Sequence, residues 1–162
     1  MPSLTVWRFA TPYGADQGEL RLKMLRDQGA IVVHDAATVA WFANRKRPRV
    51  RQLEHMRGAG ALGGAVWGTL LESVFLMPFA GAAVGAGAGV LRHRLSDAGI
   101  DDGFIRELRE RLTPGTSAIF VLSSDADITR VRARFPVDEA ELICADLDEA
   151  GAERLRALQE EG

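Results

Sequence analysis

Residues 60–91 read "GALGGAVWGTLLESVFLMPFAGAAVGAGAGVL", and Glu72 is the only charged side chain among them. An apolar run of this length is either helix meant for lipid or the buried core of an assembly. Its periodicity narrows the choice. Gly60, Gly64 and Gly68 stand four apart, as do Gly81, Gly85 and Gly89. Residues four apart share one helix face. Each triplet therefore leaves a stripe without side chains, along which two backbones can approach closely. Glycine costs a helix about 1 kcal/mol relative to alanine, so the pattern makes sense where close packing returns that energy. Phe75-Leu76-Met77-Pro78 separates the triplets, and proline suits a turn or the first helical position. The expectation is a glycine-zipper helical hairpin inserted over residues 58–95, with helices over 58–77 and 79–95.

The flanks bear on where such a hairpin sits. About 20 helical residues cover about 30 Å, the thickness of a bilayer's hydrocarbon core. Arg45, Lys46, Arg47, Arg49, Arg51 and Arg57 precede the run, and Arg92 and Arg94 follow it. Basic residues at both ends place both on the cytoplasmic side and form a lipid-proximal cluster that attracts anionic headgroups. Glu72 opposes simple lipid exposure, because a carboxylate in hydrocarbon is costly. It is expected as a buried ionisable group inside an oligomer of hairpins. A monomer in water would expose too large an apolar surface, so self-association is expected in either solvent.

Outward from the run, the chain alternates strands and helices. Residues 1–10, "MPSLTVWRFA", lack the basic start and long apolar stretch of a leader peptide, and the expectation is a chain that starts in the cytoplasm. They read as a strand, with Leu4, Val6 and Arg8 on one side and Thr5, Trp7 and Phe9 on the other. Asp16 to Gln28 reads as a helix, with Leu20, Leu22, Met24 and Leu25 as its apolar side and Gly29 as its stop. Ile31 to Val33 and Thr38 to Phe42 read as two short strands, with His34-Asp35-Ala36 a turn or bulge between them. The stretch "PRVRQLEH" continues extended. After the run, Asp101 or Asp102 caps a helix whose stripe is Phe104, Ile105, Leu108 and Leu112, and "TSAIFVLSS" is a buried strand. The pattern predicts an α+β, ferredoxin-like βαββαβ sandwich built from residues 1–57 and 96–162. A C-terminal αβα extension follows, with a helix from Asp127 to Phe135, a strand from Glu141 to Ala145 and a helix from Glu149 to Gln159.

Composition excludes some functions. A net charge of -2 and a pI near 5.9 do not suit a globally cationic nucleic-acid binder. The lone Cys144 permits no intrachain disulfide and reads as a small apolar strand residue. His34, His55 and His93 are scattered, without metal-ligand spacing. Asp97, Asp101 and Asp102 fit helix capping better than cation binding. The glycines lack the lysine and serine of a phosphate loop. The basic segment from Arg45 to Arg51 follows Trp41 and Phe42 but offers no stacking platform for RNA.

The stretch from Gly60 to Leu122 closely resembles a widespread bacterial family of uncharacterised proteins, usually described as predicted membrane proteins of unknown function. Trp67-Gly68, Pro78, the Gly81/Gly85/Gly89 series, "DAGIDD" at 97–102 and "PGTSAIF" at 114–120 carry the resemblance, and "HDAATVAW" at 34–41 is similar to the family's second and third strands. The family commonly has an uncharged pair where this chain has Glu72-Ser73. The expected function is non-enzymatic: a self-associating protein at the cytoplasmic face of a membrane, with its own copies and anionic lipid as partners. No catalytic, cofactor or metal residues and no nucleic-acid partner are expected. The alternatives are a soluble ligand-binding or regulatory homo-oligomer, and an enzyme whose sheet pocket uses His34 and Asp35.

Overall fold

The computed structural model describes residues 3–58, 64–75 and 100–146. They form a mixed α+β unit with a five-stranded sheet and four helices. In chain order the elements are β1 (Ser3–Phe9), α1 (Gly14–Asp27), β2 (Val32–Ala40), β3 (Arg49–Gln52), a 3₁₀ turn (Glu54–Met56), α2 (Gly64–Phe75), α3 (Asp102–Arg111), β4 (Ser117–Ser124), α4 (Ile128–Arg134) and β5 (Ala140–Asp146). The sheet order is β3-β2-β4-β1-β5, with all neighbours antiparallel. β1 and β2 therefore run parallel to each other on either side of β4, and β4 and β5 do the same about β1.

Both faces of the sheet are covered. On one face Trp7 and Phe9 of β1 pack with Leu22 and Leu25 of α1 and with Val131 and Phe135 at α4. Trp7 stacks on Phe135 with ring centroids 4.7 Å apart. On the other face Leu4 and Val6 pack with Trp67, Leu70, Leu71 and Val74 of α2 and with Phe104, Ile105 and Leu108 of α3. This double cover explains β4. It pairs on both sides, and residues 117–123 are all buried, so its sequence is a continuous apolar run rather than an alternation.

Several local expectations meet a different outcome. The two strands expected at 31–33 and 38–42 are one nine-residue strand, β2. Its pairing with β4 shifts between Val33, opposite Ser123, and Asp35, opposite Leu122. His34 is the extra residue of this β-bulge. The bulge reverses the alternation. Val33 joins the α1 face together with Ala36, while Ala37 and Val39 join the α2 face. In α1 the buried stripe is Ala15, Gly18, Leu22 and Leu25, whereas Leu20 and Met24 are 65% and 43% exposed. The helix ends in a Schellman motif: Gly29 at φ 72° donates to Arg26 O, and Ala30 N donates to Leu25 O.

The helix expected after the Gly-rich run is present as α3. Asp101 caps it by accepting from Phe104 N at 2.9 Å, and its four expected apolar residues are buried. It was expected as the second helix of the ferredoxin-like βαββαβ pattern, leading into the last strand of that pattern. It lies instead on the face opposite α1, and α4 is the helix that crosses from β4 to β5. β5, expected as part of an extension, pairs with β1 along its whole length. Within the segment expected as a hairpin, the described part is α2, laid against the sheet. The second hairpin helix and the final helix lie outside the described residues.

Candidate functional site

The end of the sheet where β1 and β2 finish gathers a basic loop and a set of aromatic rings. The loop joins β2 to β3, and Trp41 anchors its start. Trp41 N donates to Thr116 O at 2.9 Å, Trp41 O accepts from Gly115 N at 2.6 Å, and the indole Nε1 donates to Arg45 O at 3.1 Å. Gly115, at φ 91°, sits in the left-handed region that favours glycine. Pro48 is buried at the far end of the loop. Between these anchors Arg45, Lys46 and Arg47 are exposed, as is Arg49 at the start of β3. Four cationic side chains thus fall within five positions, a local density the net charge of -2 conceals.

Aromatic side chains border the loop. Trp41 meets Phe75 edge-on at 5.4 Å, and Phe42 meets Tyr13 edge-on at 5.5 Å. Tyr13 precedes α1 and is 65% exposed. Phe75 is the last described residue of α2, and the remainder of the Gly-rich run follows it in the chain. Arg109 of α3 secures this point, donating from Nη2 to Ser73 O at 2.7 Å and from Nε to Val74 O at 3.3 Å. Proline has no N–H, so Pro78 cannot supply the helical bond that Val74 O would otherwise accept.

The rest of the predicted basic cluster is dispersed. Arg51 is paired with Glu19 and lies 3.7 Å from Asp16 on α1. Arg57 is exposed near the other end of β2, where Gly58 N donates to His34 O at 2.9 Å. Six strand residues separate His34 from Trp41, about 20 Å at strand rise. Arg92 and Arg94 lie outside the described residues, as do Gly60, Gly81, Gly85 and Gly89. Of the remaining predicted packing glycines, Gly64 is the first described residue of α2 and Gly68 is buried within it. Glu72 is half-buried on α2, among neighbours that face the sheet.

The bulge separates His34 from Asp35. Asp35 turns toward α2, where its Oδ2 accepts from Trp67 Nε1 at 3.0 Å and its Oδ1 from Ala36 N at 2.9 Å. Both residues are buried, and a buried carboxylate needs such donors. His34 Nε2 instead lies 2.9 Å from Ser124 Oγ. Two adjoining recesses open at the end of the sheet that carries the basic loop, one of about 240 Å³ lined by Phe9, Gly14 and Arg21 and one of about 370 Å³ lined by Arg8, Val137 and Glu141, and neither is lined by His34 or Asp35. The Asp35–Trp67 bond was missed in the sequence. Its signal was an indole within an apolar run, since a buried Trp N–H usually finds an acceptor.

No helix among the described residues is long and apolar enough to cross a membrane; the described part of α2 has 12 residues. No curated protein and no solved structure matches the chain. A family model does match, over residues 61–159, from the Gly-rich run through β5 and beyond. That is more than half of the 162 residues, and the chain belongs to this family, DUF1269, described as a protein of unknown function.

Proposed function

We propose that this chain is a non-enzymatic, self-associating protein held at the cytoplasmic face of a membrane by the basic loop and by the part of the Gly-rich run that follows α2. The observation that carries the reading is the contact of Phe75 with Trp41, because it starts that apolar segment beside Arg45, Lys46, Arg47 and Arg49. Aromatic rings and cationic side chains together suit the headgroup layer of an anionic bilayer. Residues 76–91 carry no charge. As a helix they would cover about 24 Å, short of the roughly 30 Å of a hydrocarbon core. The reading therefore favours a segment seated in the interface. Gly81, Gly85 and Gly89 would form the contact between copies. The strand order supports a ferredoxin-like reading of the supporting domain, with β1-α1-β2 and β4-α4-β5 as its two crossovers and β3 as an added edge.

A second reading, the soluble homo-oligomer, draws on a different observation. Trp67, Leu70, Leu71 and Val74 of α2 pack against their own sheet, and Trp67 is bonded to Asp35 there. Fractionation of the expressed protein without detergent separates the two. Protein in the membrane pellet that resists a salt wash supports the membrane reading. A discrete soluble oligomer, with no binding to vesicles containing phosphatidylserine, would rule it out in favour of the second.

A further inference from the structure

The two edges of the sheet are built differently. β3 has four residues, follows Pro48 and carries Arg49 and Arg51. Short length, proline and charge are the usual protection of an edge strand. β5 has seven residues, and 142–145 are all uncharged. Its inner side pairs with β1 from Ala140 to Asp146, and among the described residues no strand meets its outer side. Glu141, the charge nearest its middle, is paired with Arg111 and lies 3.6 Å from Arg8 within the same chain. Among the described residues this edge lacks those protections, and an exposed edge of this length is a template for another strand.

We infer that β5 pairs antiparallel with β5 of a second copy, about a two-fold axis at Ile143, so that two sheets of five strands become one of ten. In this register Ile143 faces its own counterpart, Leu142 faces position 144, Glu141 faces Ala145 and Ala140 faces Asp146. The centre is a β-branched pair, and no carboxylate opposes another. An axis at Glu141 would set two carboxylates against each other. After β5 the sequence reads as a helix from Glu149 to Gln159, with Leu155 and Leu158 three apart, so no further strand is expected from it. A two-fold, self-complementary contact is also the commonest way for identical chains to meet. This interface uses no glycine of the 60–91 run and goes beyond the zipper proposed above.

Sedimentation of the full-length Gly85→Leu variant across a dilution series, with hydrogen exchange on the same samples, tests the inference with the zipper disabled. The expected result is a dimer at twice 17.6 kDa, about 35 kDa, whose β5 amides exchange more slowly than in the diluted monomer. Leu142→Glu should raise the dimer dissociation constant about tenfold or more, through two unfavourable cross-strand pairs. Adding Cys144→Lys should restore it by making those pairs opposite in charge. A monomer throughout the series would overturn the inference, as would a dimer whose β5 amides exchange at the diluted rate. Should Leu142→Glu fail to fold, β5 exchange in the parent chain decides alone. Slow β5 exchange in a Gly85→Leu dimer would also show that the edge holds where the zipper does not.

Discussion

Gly14 and Gly18 show what a four-residue glycine spacing does within this domain. A Cβ on Gly14 would lie 2.6 Å from Phe9 Cγ, at the root of the ring, whereas one on Gly18 would lie 2.8 Å from Cζ, at its tip. The tip can tilt away and the root cannot. Gly14→Ala should therefore cost about 1–3 kcal/mol and Gly18→Ala distinctly less. Urea unfolding of both variants checks the order, and equal midpoints would contradict this packing. Asp35 poses the polar counterpart. Trp67→Phe keeps the ring but removes the donor 3.0 Å from Oδ2, in a buried setting. The expected loss is about 1–3 kcal/mol, since a buried acceptor is left short of a partner. A Trp67→Phe protein as stable as the parent would mean the bond contributes little.

Among the elements, α3 was the most legible, because cap and stripe agree. Asp101 accepts from Phe104 N, and Phe104, Ile105 and Leu108 fall on one face. Asp101→Ala is expected to lower stability by about 0.5–2 kcal/mol, measured by thermal or urea unfolding. Asp127→Ala should cost less, since that cap is longer at 3.2 Å, is exposed and serves a seven-residue helix. β2 was the least legible. His34 and Asp35 interrupt its apolar pattern, and only pairing with β4 reveals that one residue bulges while the strand continues. The stripe of α1 was misread for a related reason. Leu20 and Met24 have the size of core residues, yet the close approach of Gly14 and Gly18 to Phe9 turns the helix by its small residues. Arg109 ties two elements together at the carbonyls of Ser73 and Val74. Arg109→Lys should retain only part of this contact, because an ammonium lacks the planar fork. Faster hydrogen exchange in the last turn of α2 is the expected signature.

At the scale of the described residues together, the central feature is a sheet covered on both faces, with four exposed cations around the β2–β3 loop at one end. The basic loop and its aromatic neighbours are the proposed lipid contact. Each cation near an anionic surface contributes about 1 kcal/mol. Replacing Arg45, Lys46 and Arg47 by alanine should thus weaken binding to phosphatidylserine vesicles by about 100-fold. Binding equal to the parent's at physiological salt would remove the loop from the membrane reading. The variant should keep the parent's unfolding midpoint, because these side chains are exposed.

Local chemistry reads directly from the residues. The start of α3, the stop of α1 at Gly29, the two faces of β1 and the buried run of β4 each depend on neighbours within a few positions. Capping, left-handed glycine and side-chain alternation are short-range effects, so their signals lie in short windows of sequence. The basic segment from Arg45 to Arg51 was also visible there, although its division was not. Arg51 turns to α1, while Arg45, Lys46, Arg47 and Arg49 remain exposed around the loop. The allocation of helices to faces belongs to tertiary structure. An apolar stripe states that a helix needs a partner without naming it. Only the bulge at His34 turns Asp35 toward Trp67, and only the assembled sheet offers α2 and α3 one face and α1 and α4 the other.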